Sequence, residues 1–468
     1  TGTGNVAVGT YTLDANTEGD SNTAIGKQAL SANTTADYNT AVGRQALFSN
    51  TTGTGNTAVG YESLKVNTTG GDNTAMGLCA MCSTTTGSSN AAVGRRALTS
   101  NTTGVHNVAM GFNSLFATTT GLCNVGVGGG ALQSNTTGCY NIGIGRFANC
   151  ANLTSNSNTA VGHQSLKLNT AANNTAVGYE ALSANTSGAH SVAVGCGALA
   201  SNTTSGENTA VGFGALAAQN TGTPNDAFGN QSLCKLTTGT QNTGLGFRAM
   251  CDVTTGVRNV SVGNSAGYKT TTGNENVAIG RASNLSNTTG NNNVSVGHCA
   301  GYNITTGGQN INIGGFTTVA SATASYSLAI GYNIVGKGAG TGYIAPDGTS
   351  SGGIYQGNNS SSWSTTSDKR IKKNIVDNTT GLDKINQIQI RNFEYRKEDE
   401  ITELPKHSAI EKSGIQIGVI AQEIETILPD VVTEESTGVK SVDPSNLTWY
   451  LINAIKELTK RIKDLEDK

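Results

Sequence analysis

The chain has 468 residues, a formal net charge of −2, and only 13% charged and 5% aromatic residues, whereas glycine alone fills 62 positions. No cluster of Lys and Arg in its long N-terminal part offers a footprint for phosphates, so no nucleic-acid partner is expected. No run of about 18 apolar residues is present to span a membrane.

In chain order, the first element is a repeat. Glycine returns from Gly9 to Gly331 in 20 copies spaced 17 residues apart, with one step of 16 between Gly162 and Gly178. A strict short period marks a one-dimensional stack of like units and excludes a structureless linker or a globular enzyme over this stretch. With Gly as position zero, the consensus reads N-T-A-V-G-x-x-A-L-x-x-N-T-T-G-x-x. The residue before Gly is apolar in all 20 copies, and the one before that is small, usually Ala. A large apolar residue with a small neighbour facing the other way predicts a short strand with one packed face and one tight face. Leu or Met at position +4 (Leu13, Leu30, Leu47, Leu64, Met81, Leu98) is a second core candidate. The Asn-Thr-Thr-Gly that follows is turn chemistry, since Asn and Gly tolerate positive φ. Asn opens the motif in 18 copies, with Ser191 and Ser327 as the exceptions. It is read as an in-register amide ladder and not as a ligand-binding comb.

The expected shaft is therefore an all-β parallel solenoid or β-roll of 20 coils over residues 1–334, roughly 95 Å long at ~4.8 Å per coil. A 17-residue coil has a perimeter of at most ~56 Å and supplies about two large apolar side chains, a thin core for one chain. Three chains sharing an axis would bury those side chains against each other, so a homotrimer is expected. After Gly263 the Leu position weakens (Gly267, Asn284, Gly301), which predicts a changed cross-section in the last coils. This part resembles, at motif level only, the β-roll heads of trimeric autotransporter adhesins, whose repeats carry a similar Asn-x-Ala-[Val/Ile]-Gly strand but are shorter. Because Thr1 already lies inside a repeat, a preceding signal or attachment segment stays open.

The nine cysteines form no paired zinc-like array, and the lone C-x-x-C of Cys79 and Cys82 is weak support for a metal, so neither metal nor cofactor is expected. Cys234 and Cys251 are one period apart and within bridging range, although half-buried free thiols are the expectation.

Residues 335–366 lose the period and, rich in Gly and Ser, read as a loop-rich neck. Beyond them charges crowd in, and Lys369, Arg370, Lys372 and Lys373 are read as a solvated face. Asp443-Pro444 is a helix start, and Leu447, Leu451, Ile455, Leu458, Ile462 and Leu465 then recur at mostly alternating spacings of four and three. This predicts a C-terminal helix over 444–468 with a coiled-coil seam for trimerisation.

Ser367-Asp368-Lys369-Arg370-Ile371-Lys372, Gly414-Ile415-Gln416-Ile417-Gly418-Val419-Ile420-Ala421-Gln422-Glu423, Leu428-Pro429 and Val442-Asp443 resemble, in order and spacing, one family. It is the C-terminal intramolecular chaperone domain of phage endosialidases, tailspikes and tail fibres. The resemblance spans residues 367–468 and implies an α+β domain that drives trimerisation of the preceding fibre and then cuts itself off. It implies cleavage of the Thr366–Ser367 bond, with Ser367 as nucleophile and Lys372 as its base. A neutral Lys can take a Ser proton if burial lowers its pKa, so the residue types suit the chemistry. The expected function is a homotrimeric phage tail-fibre or host-attachment protein, with a host-surface receptor and other virion tail components as partners. Its only enzyme activity would be a single self-cleavage. The alternatives are a bacterial surface adhesin or extracellular filament using the same clamp, and a polysaccharide-degrading tailspike. The shaft shows no Asp/Glu pair in a glycosidase setting.

Overall fold

A computed structural model describes residues 2–348, 353–357, 369, 372–403, 412–434 and 438–467. The chain divides into two compact units, Thr1–Thr366 and Ser367–Lys468.

The first unit is a parallel β-solenoid. Each coil places one short strand immediately before its repeat glycine, from β1 (Val6–Val8) to β20 (Leu328–Tyr332). Strands pair with the equivalent residues one coil away, so that Ala24 stands between Ala7 and Ala41. The 16-residue step is absorbed without a slip: Thr159 faces Thr175 and Val161 faces Val177. Register is held because a slip of one residue would turn every small side chain out of the coil.

The backbone corners explain the sequence. The repeat glycines hold φ near +130°, as at Gly60 (+136°), where a Cβ would lie 2.5 Å from the carbonyl oxygen of Gly77 in the next coil. Only glycine fits that approach. Positions +2 and +4 are both left-handed, as at Gln28 (φ 60°) and Leu30 (φ 52°). Leu in this region ordinarily costs about 1–2 kcal/mol, a cost that burial of the side chain offsets.

The interior settles which face of the strand is the tight one. The small residue of each strand points into the coil: Ala24, Ala41, Ala58 and their equivalents are fully buried, together with the Leu ladder Leu30, Leu47, Leu64, Met81 and Leu98. The large residue before glycine points out. None of the 20 is buried, with Ile25 40% and Leu245 47% exposed. The core is therefore built within a single chain from Ala and Leu, because a 17-residue coil has room for one large side chain per turn and only a methyl opposite it.

The amide ladder is present and double. Asn22 Oδ1 accepts from the backbone N–H of Asn39 at 2.9 Å, and Asn39 Oδ1 accepts from that of Asn56 at 2.9 Å. A second column runs through the Asn at position +7, where Asn67 Nδ2 donates to Asn50 Oδ1 at 2.8 Å. The columns meet on one carbonyl: Gly70 O accepts from Asn56 Nδ2 at 2.9 Å and from Asn67 Nδ2 at 2.8 Å. The amides of these two columns thus satisfy freed backbone groups, as a narrow coil with little strand requires.

The expected change of cross-section after Gly263 does not occur in the strand ladder. Val260, Val277, Val294, Ile311 and Leu328 continue it in register. Gly267 (φ 59°), Asn284 (φ 50°) and Gly301 (φ 61°) keep the left-handed corner, being the residues that tolerate it best. In the coil of Gly301, position +7 takes over the packing, where Ile304 is buried. The segment read as a loop-rich neck also carries strands. Strand β21 (Gly342–Asp347) pairs in parallel with β20, and β22 (Ile354–Gln356) pairs antiparallel with β21. Alternating Tyr343-Ile344-Ala345 is strand chemistry that the flanking glycines obscured. Against the expectation of free thiols, Cys234 is bonded to Cys251 (Cα–Cα 5.0 Å) and Cys79 to Cys82 (4.9 Å). Stacking brings the first pair together, and the tight corner after Gly77 the second.

The second unit is a small α+β region. It contains α1 (Leu382–Ile385), the antiparallel pair β23 (Arg391–Phe393) and β24 (Gln416–Gly418), and α2 (Ala421–Ile427). A second antiparallel pair, β25 (Val432–Glu434) and β26 (Lys440–Val442), leads into the long helix α3 (Pro444–Glu466). Its core gathers Ile424, Leu428, Val431 and Tyr450, with Ile385, Val419 and Leu447 against them.

Candidate functional site

Helix α3 is the platform of the second unit. Asp443 caps its N-terminus, accepting from Ser445 N at 2.9 Å, and this hydrogen bond holds the carboxyl below its ordinary range. Tyr450 turns into the core and donates to Asp430 Oδ2 at 2.5 Å; that bond, reinforced by burial, pushes the phenol pKa up. Farther along, Asn453 Nδ2 donates to the carbonyls of Asn378 (2.8 Å) and Thr380 (3.2 Å), and Glu457 Oε2 accepts from Leu382 N at 3.0 Å. A Cβ at Gly381 would lie 2.6 Å from Glu457 Oε1 and 3.0 Å from Ala454 N, so glycine is what lets the chain lie this close to the helix.

The chain that α3 holds is the one that follows the candidate dyad. Lys372 opens it, exposed, with its backbone N–H donating to the carbonyl of Lys369 at 3.2 Å. Thr366 and Ser367 lie outside the described residues. A lysine acting as base needs desolvation, and the described residues do not enclose Lys372.

The Gly414–Glu423 motif forms β24 and the first turn of α2. Its last two residues, Gln422 and Glu423, line a cavity of about 430 Å³ together with Gln387, Gln389, Arg391, Thr426 and Ile427. Arg391 spans it, donating from Nε (3.1 Å) and Nη2 (3.0 Å) to the two oxygens of Glu423, and the carboxylate raises the guanidinium pKa. This two-pronged pair ties β23 to α2. On the opposite side of α2, Lys440 Nζ reaches Glu425 at 2.6 Å, and that hydrogen bond raises the lysine pKa. Sequence reasoning singled out none of these four charged groups as a pair, because nothing in the linear spacing of Arg391 and Glu423 reports a contact.

Of the predicted seam, Leu447 packs on the core of its own unit, whereas Leu451, Ile455, Leu458, Ile462 and Leu465 are exposed, Ile455 by 63%. The face of α3 turned to its own domain is marked by Tyr450 and Ala454. From Leu451 onward the four-and-three stripe is therefore left exposed by the described residues of the chain.

Residues 367–433 match the family model described as chaperone of endosialidase. The chain carries a chaperone-of-endosialidase domain. That domain follows the 20-coil solenoid and contains the candidate dyad positions, the Arg391–Glu423 pair and α2. No curated protein and no solved structure matches the chain.

Proposed function

We propose that the chain is the subunit of a homotrimeric fibre of the phage tail type, in which the solenoid is the shaft and the chaperone domain is a folding clamp. The observation that carries this reading is a coincidence of boundaries. The family match begins at Ser367, which is also the first residue of the second compact unit and of the S-D-x-R-x-K motif. A chaperone domain of this family implies trimeric assembly, and the exposed stripe of α3 supplies a seam for it. A shaft of in-register strands folds slowly from separate chains, so fixing three ends together before the coils stack removes the alternative registers.

Release follows from the same motif. Lys372 takes the proton of Ser367 Oγ, which attacks the carbonyl carbon of Thr366. The C–N bond breaks as the C–O ester forms, and the proton passes to the freed α-amine of Ser367. Water then hydrolyses the ester, leaving a Thr366 carboxylate and restoring the Ser367 hydroxyl. The mature fibre is then a shaft of residues 1–366, located in the virion tail and displayed to a host surface. Denatured intact mass of freshly expressed protein tests this beside Ser367→Ala and Lys372→Ala. The expected result is two pieces split between residues 366 and 367 in the wild type only. An uncut wild-type chain would sink the protease assignment and make the domain a permanent cap.

A further inference from the structure

The outward face of the solenoid strands carries an inference about how the shafts meet. Two residues of each strand point away from the coil, the one before glycine and the one two positions earlier. Across 20 coils none of these 40 side chains is buried. They are Val, Ile, Thr, Leu, Met, Phe or Ala throughout, with Asp226 as the one charge. The face is about 90 Å long at ~4.8 Å per coil and roughly 10 Å wide, or about 900 Å². With 31 of its 40 side chains apolar, the rest being eight Thr and Asp226, it still exceeds the largest apolar patch of a typical monomer, about 300–600 Å², and its whole area reaches the ~800 Å² per partner of a stable interface.

We propose that this face is where the shafts of the protein's own copies pack. The inference rests on the trimeric reading above and adds to it which side of the coil turns to the axis. A second copy is the occupant that the face fits, because only a partner with the same rise per coil stays in step with 20 stacked rungs, each carrying a large apolar residue. A shorter or differently spaced ligand would leave most of the stripe wet. The Ala and Leu of the interior are already satisfied inside each chain, so association needs no unfolding of the coils. Only the face left over is used.

The test is the mass in solution of the full chain carrying Val161→Lys, Val177→Lys and Val194→Lys together. Its control is Thr154→Lys, Ser187→Lys and Thr204→Lys, on an exposed column away from the strands. Each Lys sits on a half-exposed site of the single coil, so the coil itself tolerates it, whereas three chains would bury nine charges. The expected result is a trimer for the wild type and the control. The face variant keeps its β circular dichroism, with either the mass of one chain or shafts whose strand amides exchange at least tenfold faster. A second variant with Thr at the same three positions keeps strand propensity and the shape of the coil. It decides the case if the Lys variant fails to fold, with a trimer that dissociates at least tenfold more readily as the expected result. A face variant with the mass and exchange of the control overturns the proposal and leaves the trimer standing. A wild-type chain that is monomeric overturns both.

Discussion

Substituting Ala for Gly178 puts the backbone account of the shaft to a sharp test. Gly178 holds φ +138°, and a Cβ there would lie 2.5 Å from the oxygen and 2.6 Å from the carbon of Gly195, backbone atoms that cannot yield without opening the next rung. The conformation costs an L-residue about 1–3 kcal/mol, and the forced contact about 1–3 more. The total is about 2–6 kcal/mol per chain, a factor of roughly thirty to more than ten thousand in local opening. Gly197, two residues past the next repeat glycine, is the matched control. Its φ is +66°, and a Cβ there would meet nothing within 4 Å. Other coils carry Gln164 (φ 58°) and Glu180 (φ 53°) at the same position. Ala there costs about 1–2 kcal/mol of left-handed strain, less the ~0.4–1 recovered from the unfolded chain. Because each coil touches only its neighbours, hydrogen exchange by mass spectrometry over residues 159–211 is the assay. Gly178→Ala should speed exchange at least thirtyfold in the coils on either side, and Gly197→Ala by no more than about fifteenfold. Equal effects at the two sites would refute the argument from close approach.

Other substitutions probe different parts of the molecule. Asn107→Ala removes the acceptor of Asn124 N (3.0 Å) and the donor to Gly121 O (2.9 Å); at about 1–3 kcal/mol for each buried group left unpaired, local exchange should rise at least tenfold, and Asn107→Asp should not restore it. Asn284→Leu replaces a buried amide that has no partner among the described residues and restores the Leu column at a left-handed corner other coils fill with Leu, so exchange around residues 277–296 should slow, by about 1–3 kcal/mol; faster exchange would contradict this packing. Asp443→Ala should lower the stability of the second unit by about 1 kcal/mol at neutral pH. Because the folded Asp443 pKa lies below its ordinary value, that contribution is present above the ordinary carboxylate range and lost as pH falls through the folded pKa. Wild type and variant should therefore converge in acid when followed by urea titration; a gap that persists there would show that the cap bond is not its source.

The sequence made the shaft legible because a period of 17 is a property of spacing, and spacing survives any doubt about side-chain direction. It left direction open. Val8 and Ala7 alternate, and either could face inward; hydrophobicity favours Val, but the width of the coil decides for Ala. The corners were hidden for a related reason. Leu30 in a left-handed conformation contradicts local propensity, and only the interior it reaches makes it tolerable. Asn22 was legible as a ladder, whereas Asn33 read as an ordinary turn residue, because its partner lies one coil away. In the second unit, the helix and its cap could be read from Asp443-Pro444, and the resemblance located Ser367 and Lys372. The Arg391–Glu423 pair and the seating of residues 378–382 on α3 depend on tertiary placement that no local pattern reports.

The central claim, a trimeric shaft with a clamp that frees itself, is tested most directly by native and denaturing mass spectrometry on one fresh preparation, with Ser367→Ala beside it. The account predicts that wild-type shafts of residues 1–366 remain as a trimer while each chain is cut once, and that the variant is a trimer of intact chains. A wild type that is uncut, or cut but monomeric, would contradict it.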